Sequence, residues 1–478
     1  MAGIKDGYLY LATKIVTGLI GLVSISLQTK YISAAVMGQY SLITGITSIC
    51  MTIMIGWLAS SSLRYYHQYS FNARKLFFST ISIDWVICTS ITVLFVILLS
   101  YIIKSIPLKD YLLLISLLIV NSSAFQIYEG LLRASKHNVL YCVLLLIQSI
   151  LHLVIIVIVN TVFELQIESL FIANIVTPLV FVIVSMIALR SIQDTSFSSY
   201  DKSLNNKLFE YGLPLIGVWG ISWLLGYSDR YIISFYYSSS DVGLYDIAYR
   251  FSESSIGLII AAFDLAFFPE MIRCWHDDGK KATETLMTSV FRVLLSISIP
   301  AVIGLSLLSD SLYGTIIDPS YSEAAGVISV SCVGFVFLGI NNVLYKIWEL
   351  EEKTTRILSL TIIAMLINII SNFVFIPLFG YIAAAWTTVG AYVCITILAV
   401  IMLHKHFKII LDTTSLLKEI IAASLMGILV FFIRPFVTNT IALLLVVLLA
   451  AVFYFALLVL FKDIDKEVYL LYFKRNSK

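Results

Sequence analysis

Charge is scarce in this chain. Only 13% of its 478 residues are charged, and 31 Lys+Arg against 29 Asp+Glu leave a formal net charge of +2. That balance removes the basic footprint a nucleic-acid partner would need. Cysteine is sparse too. The six cysteines, Cys50, Cys88, Cys142, Cys274, Cys332 and Cys394, are scattered, mostly inside apolar runs, and no pair has metal-binding or redox spacing. They read as small hydrophobes in helices. There is no Walker A sequence, no Gly-rich nucleotide loop, no HExxH and no nucleophile elbow. ATP hydrolysis by this chain therefore has no support. No catalytic residue, metal or cofactor is expected, apart from a coupling H+ or Na+.

Apolar side chains are in excess, at 60% of residues, where soluble domains hold about 45–50%. A single soluble core also stops growing beyond about 250–300 residues. The surplus needs a second solvent, which is lipid. The class is all-α integral membrane protein.

A helix needs about 20 mainly apolar residues to cross the hydrocarbon core. About fourteen stretches qualify: 8–28, 40–63, 78–103, 111–132, 139–161, 168–190, 211–234, 243–268, 285–308, 324–347, 356–376, 380–403, 416–433 and 437–461. The first lacks a small-residue cleavage site and reads as a retained helix. With the N-terminus inside, lysine and arginine concentrate in alternate segments. The outer ones hold only Lys30, Lys104, Lys109, Arg230 and Arg434. By the positive-inside rule, both termini are expected in the cytoplasm. The longest polar stretches, 191–210 and 269–284, fall on that side. No loop is long enough to be a domain, which counts against a membrane glycosyltransferase or polymerase.

The segment Tyr31-Ile-Ser33-Ala-Ala-Val-Met-Gly38-Gln-Tyr40 precedes the second span, and Tyr236-Tyr-Ser238-Ser-Ser-Asp-Val-Gly243-Leu-Tyr245 precedes the eighth. Tyr, Ser, Gly and Tyr match at a constant spacing of 205 residues. An even number of spans separates the copies, so both halves enter the membrane the same way, as in a parallel repeat. The expected organisation is an N-lobe over 1–190, a cytoplasmic linker over 191–210 and a C-lobe over 211–403. Residues 404–478 add the last two spans and a cytoplasmic C-terminal tail. Two facing six-helix lobes are an alternating-access architecture.

Ionisable groups inside spans are costly and seldom face lipid. The eighth span carries Asp246, Arg250, Glu253 and Asp264. On an ideal helix these fall at about 0°, 40°, −20° and 0°, over about 27 Å. Such a stripe can line a substrate cavity. Alternatively, Asp246, Arg250 and Glu253 can form an ion network that only pins helices together. In the first span, Lys14 shares a face with Thr17, Gly18, Gly21 and Ser24, and sits too deep to be a terminal anchor. The small residues beside it read first as helix packing. The seventh span ends in Ser228-Asp229-Arg230 near the expected outer interface, where a snorkelling local pair competes with a functional one. Arg292 in the ninth span and Arg64 at the end of the second complete the candidates. Glu129 and Arg133 are spaced as a local pair, and His152 reads as a hydrogen-bonded core histidine.

Several stretches resemble Wzx-type flippases of the multidrug/oligosaccharidyl-lipid/polysaccharide (MOP) exporter superfamily. They are Tyr211-Gly-Leu-Pro214, Ser228-Asp229-Arg230, Val242-Gly243-Leu-Tyr245-Asp-Ile-Ala248-Tyr-Arg250, Phe267-Phe-Pro269 and Asn368-Ile-Ile-Ser-Asn372 through Pro377-Leu-Phe-Gly380. Gly38-Gln-Tyr40 and Leu131-Leu-Arg133 fit as well. The resemblance implies a MATE-like fold of two six-helix lobes. It implies a transporter, not an enzyme, that flips an undecaprenyl-pyrophosphate-linked oligosaccharide repeat unit across a bacterial cytoplasmic (inner) membrane for O-antigen or capsule biosynthesis. Its partners would be that lipid-linked oligosaccharide, membrane lipid and other polysaccharide-assembly proteins, with no nucleic acid. Lys14 and Arg250 would hold phosphate, and Asp246, Glu253 and Asp264 a coupling cation or sugar hydroxyls. The alternatives are a cation-coupled exporter of small amphipathic molecules and a membrane polysaccharide polymerase.

Overall fold

The computed structural model describes residues 2–69, 73–191, 195–404, 406–408 and 413–462. The C-terminal tail beyond 462 and residues 192–194 of the linker lie outside them. Fourteen helical segments are long and apolar enough to cross a membrane. Among the described residues all regular secondary structure is helical, apart from one isolated bridge between Tyr313 and Ile317. Lipid supplies no hydrogen bonds, so a spanning segment must satisfy its own backbone, and a helix does so within a single stretch of chain.

The chain forms two compact units, Met1–Asp246 and Ile247–Lys478. The first holds α1 (Ala2–Tyr31), α2 (Ala34–Met54), α3 (Gly56–Tyr69), α4 (Arg74–Ile102), α5 (Leu112–Ala134), α6 (Asn138–Val162), α7 (Ile167–Ala188), α8 (Lys202–Tyr236) and the start of α9 (Ser239–Ser252). Its core gathers Trp57, Leu58, Phe77, Phe78, Leu131 and Phe181. The stretch expected as one second span, 40–63, is two helices. The break falls at Ile55, whose φ of −123° leaves the helical region. The indole of Trp57 donates to the Met54 carbonyl at 2.9 Å, satisfying an acceptor the break would strand.

Helix α8, the expected seventh span 211–234, is longer than expected and absorbs the end of the polar linker. Asp201 caps it, its carboxylate accepting from the Ser203 N–H at 2.7 Å and the Leu204 N–H at 3.4 Å. The linker before it is strapped to α4 at three points. The Ser196 N–H donates to Ser79 Oγ at 2.8 Å, the Asp201 N–H to Thr80 Oγ1 at 3.1 Å, and the Tyr200 hydroxyl to Asp84 Oδ1 at 3.3 Å. Burial and the adjacent Asp84 carboxylate push the Tyr200 phenol above its ordinary pKa. Higher up, the Ser61 hydroxyl donates to the Leu208 carbonyl at 2.6 Å, and a Cβ on Gly212 would lie 2.6 Å from the Trp57 carbonyl. Only glycine lets α8 come this close to α3.

The two copies of the repeat meet. A Cβ on Gly38 of α2 would lie 1.8 Å from the Ser239 carbonyl oxygen, and one on Gly243 of α9 would lie 1.9 Å from the Ala34 carbonyl oxygen. Ala34 and Ser239 are themselves related by the repeat spacing. The second copy starts with a capping box: the Asp241 carboxylate accepts from the Ser238 N–H at 3.0 Å, and the Ser238 hydroxyl accepts from the Asp241 N–H at 3.4 Å. In the first copy Val36 stands where Asp241 does, and Ser33 lies against Gln166 instead.

The second unit continues α9 through a π segment (Glu253–Gly257) into α10 (Leu258–Asp277). It then holds α11 (Lys280–Leu312), α12 (Ala325–Leu350), α13 (Thr354–Phe379), α14 (Ile382–His404), α15 (Thr413–Ile433) and α16 (Thr440–Leu460). Its core includes Met287, Val290, Phe291, Leu344 and Trp348. The Asn368-to-Gly380 stretch has a packing role. The Asn368 amide donates to Thr388 Oγ1 at 2.9 Å, the Asn372 amide to Asn368 Oδ1 at 3.1 Å, and the Thr387 hydroxyl to Asn372. Gly380 ends α13 at φ +77°, where a side chain would be strained. The last two helices pack on α11. A Cβ on Gly427 would meet Ile303, and the Tyr454 hydroxyl donates to the Ser296 carbonyl at 2.8 Å.

Candidate functional site

Helices α8 and α9 form a hairpin whose facing turns carry charge. Two consecutive residues of α8 meet two consecutive residues of α9. The Tyr245 hydroxyl donates to the Asp229 carboxylate. Arg230 Nε donates to Asp246 Oδ1 at 2.7 Å. Arg230 also donates from Nη1 to the Gly226 carbonyl at 2.9 Å, and its guanidinium lies 4.8 Å from the Tyr227 ring centroid and 5.6 Å from that of Tyr245. Asp229, Arg230 and Asp246 are 1%, 3% and 3% exposed. At that burial an unpaired charge is very costly, so the aromatic faces and the two carboxylates are what make the guanidinium tolerable.

This corrects one expectation and adds to another. Arg230 does not snorkel at an outer interface; it is buried inside the hairpin. Asp246 takes its ion pair from Arg230 of the preceding helix. The stripe drawn on an ideal helix also breaks. A π turn inserts one residue and rotates the rest of the helix by about 100°, and Glu253–Gly257 lies between Asp246 and Asp264.

The remaining candidates are placed separately. Lys14 is exposed on α1, and Gly21, one of the small residues on its face, has open space where a Cβ would be. That is not the close approach expected of a packing glycine. Arg64 is exposed on α3, its guanidinium 4.5 Å from the Tyr211 ring centroid. Arg250, Glu253, Asp264 and Arg292 belong to the second unit. Glu253 is exposed at the start of the π segment, and the other three are half-buried. Arg133 and Glu129 form the expected local pair at 3.8 Å. His152 is hydrogen-bonded, with Ser24 Oγ 3.4 Å from its Nδ1 and Asn174 Nδ2 3.4 Å from its Nε2. The same Asn174 amide donates to the Tyr40 hydroxyl at 2.9 Å.

The hairpin's aromatic members escaped the sequence reading. Trp219, Trp223 and Tyr227 recur every fourth residue on α8, followed by Arg230. Trp223 stacks on Tyr227 with centroids 5.5 Å apart and planes at 5°. The helical spacing was visible, but Trp and Tyr are also ordinary span residues, so it did not stand out.

With fourteen candidate spans among its described residues, the chain has the fold of the MOP transporters. It superposes on a lipid II flippase, MurJ, in an inward closed conformation with a TM-score of 0.75 at 17% identity, covering 95% of this chain and 99% of that one. An inward-facing multidrug resistance MATE family transporter of the MOP superfamily gives a TM-score of 0.66 at 10% identity, covering 83% and 97%. Residues 29–326 match the family described as polysaccharide biosynthesis protein, and the chain belongs to that family. The membrane protein MJ1068 of Methanocaldococcus jannaschii is 26% identical over 246 residues, 51% of this chain and 48% of that protein. The probable flippase AglR of Haloferax volcanii is 28% identical over 217 residues, 44% of each. The chain thus spans under half the length of these curated relatives.

Proposed function

We propose that this protein is a transporter, not an enzyme, that moves a lipid-linked glycan from one leaflet to the other. The observation that carries the reading is its membership of the polysaccharide biosynthesis family, matched over 29–326 in a chain with a transporter fold. Its relative AglR is named a probable flippase. In its finer form, the cargo is an undecaprenyl-pyrophosphate-linked oligosaccharide repeat unit crossing a bacterial cytoplasmic membrane. Both termini then lie in the cytoplasm, and the repeat lobes 1–190 and 211–403 alternate access. The support for this finer form is the motif resemblance and the loop charges.

Lys14 and Arg64 fit the phosphate-binding role. Both are exposed cations on helices of the first unit. Lys14 lies on a spanning helix, where a charge is strongly disfavoured against lipid and so favours an aqueous lining; Arg64 lies on the short helix α3, its guanidinium against the Tyr211 ring. Arg250 and Arg292 are further cations for the same task in the second unit. Glu253 and Asp264 are the acids offered for a coupling proton or sodium ion; Asp246, held by Arg230, is a structural anion instead.

The test is depletion of the protein in its native host, followed by lipid extraction and leaflet-specific labelling. The lipid-linked glycan should build up on the cytoplasmic face, and Lys14→Gln with Arg64→Gln should reproduce the build-up. If none accumulates, the reading fails. Export of amphipathic cations by the protein in proteoliposomes, without glycan movement, would support the drug-exporter alternative.

A further inference from the structure

Between α2 and α8, within the first unit, lies an open recess of about 460 Å³ lined by Thr52, Trp219, Ser222, Trp223, Gly226 and Tyr227. None of these is charged. Trp219 and Tyr227 are 44% and 39% exposed, large fractions for aromatic rings. The Trp223 ring is held rigidly: its indole N–H donates to Ser48 Oγ at 2.8 Å, and one face rests on Tyr227.

The two aliphatic hydroxyls lining the recess have their donors engaged. Thr52 Oγ1 donates to the Ser48 carbonyl at 2.8 Å, and Ser222 Oγ to the Val218 carbonyl at 2.9 Å. What they retain are acceptor lone pairs. The aromatic faces likewise present negative π density. The recess therefore suits a ligand that brings O–H donors and polarised C–H faces together, which is the chemistry of a pyranose ring. A cationic ligand fits worse, because the Arg230 guanidinium already sits by Tyr227 at the end of the aromatic row. Open space beyond Gly226, Gly220 and Gly217 leaves this side of α8 unobstructed.

We infer that the α2–α8 recess is a carbohydrate subsite, in which Trp219 and Trp223 stack against a sugar ring of the cargo while Thr52 and Ser222 accept its hydroxyl protons. This rests on the proposed lipid-linked glycan substrate and assigns its sugar portion to a place distinct from the phosphate-binding cations.

The experiment uses the full chain in nanodiscs and two probes, geranylgeranyl pyrophosphate and the same lipid pyrophosphate bearing a chitobiose disaccharide, with affinities measured by calorimetry. The wild type should bind the sugar-bearing probe about tenfold more tightly, the size of one good aromatic stacking contact. Trp219→Leu and Trp223→Leu should erase that preference while leaving affinity for the sugar-free probe unchanged, and Trp219→Phe and Trp223→Phe should keep most of it. Should Trp223→Leu fail to fold, Trp219→Leu carries the test, since that half-exposed ring leaves little buried gap. Equal binding of both probes by the wild type, or a preference that survives both Leu variants, overturns the subsite and leaves the transport reading standing. Binding of neither probe overturns both together.

Discussion

Gly38 and Gly243 occlude one another's side-chain space. Each sits where its Cβ would strike the first-turn carbonyl of the other's helix, at 1.8 Å and 1.9 Å. Both the glycines and the carbonyls they face are separated by 205 residues. A reciprocal contact of this kind is what a local two-fold axis produces, as in an isologous interface. The repeat is thus a packing relationship as well as a sequence pattern.

Replacing either glycine by alanine should lower stability by about 2–3 kcal/mol, the upper range for overpacking, because the obstructing atom is backbone and cannot rotate away. The double variant should cost less than the sum, since once one substitution has parted the helices the second meets a wider gap. Unfolding in mixed micelles would measure both, and additive losses would argue against a shared contact.

Arg230 and Asp246 form a buried pair, and removing one partner strands a charge. Arg230→Ala or Asp246→Ala should each destabilise by about 3–5 kcal/mol. Arg230→Met with Asp246→Leu should recover much of that loss. Comparing the singles with the double in the same unfolding assay separates pairing from simple loss of volume.

The matched tyrosines of the repeat should differ in weight. Tyr245→Phe removes a donor from the buried Asp229 carboxylate and should cost about 1.5–3 kcal/mol, as bonds to charged groups do. Tyr40→Phe removes the uncharged acceptor for the Asn174 amide, and should cost about 0.6 kcal/mol, the average for interhelical bonds in membranes. Equal losses would mean that the Asp229 contact carries no charge-assisted strength.

Strapping of the linker to α4 predicts its protection. Thr80→Val with Tyr200→Phe removes two of the three straps. Cleavage by trypsin after Lys202 and Lys207 should accelerate several-fold while thermal unfolding shifts little, because proteolysis follows local opening. Unchanged cleavage would show that Ser79 and the α8 cap suffice.

Several features were legible in the sequence. The spans were, because twenty apolar residues have no other home than lipid. So were the Glu129–Arg133 pair and the hydrogen-bonded His152. The broken second span was not: Ile55 and Gly56 differ little from their neighbours, and the break depends on α8 packing nearby and on the Trp57 indole. The partner of Arg230 was also hidden. Helical periodicity relates residues within one helix, whereas Asp246 reaches Arg230 only after the chain reverses at Ser238. The π segment had no signal in the sequence, and it sets Asp264 off the stripe that Asp246 and Arg250 share.

By itself, the sequence determined the solvent, the presence of fourteen stretches long and apolar enough to cross a membrane, and a short repeated segment at a spacing of 205 residues. Each follows from a sum over several residues, of hydrophobicity or repeated identities, that no single contact can reverse. Only the tertiary structure decided which charges are spent on each other and which remain exposed. A buried ion depends on one partner within about 3 Å, and the folding of α8 against α9 supplies it. The same fold brings Gly38 to Gly243, and sets the row of Trp219, Trp223 and Tyr227 against α2 as the wall of a recess.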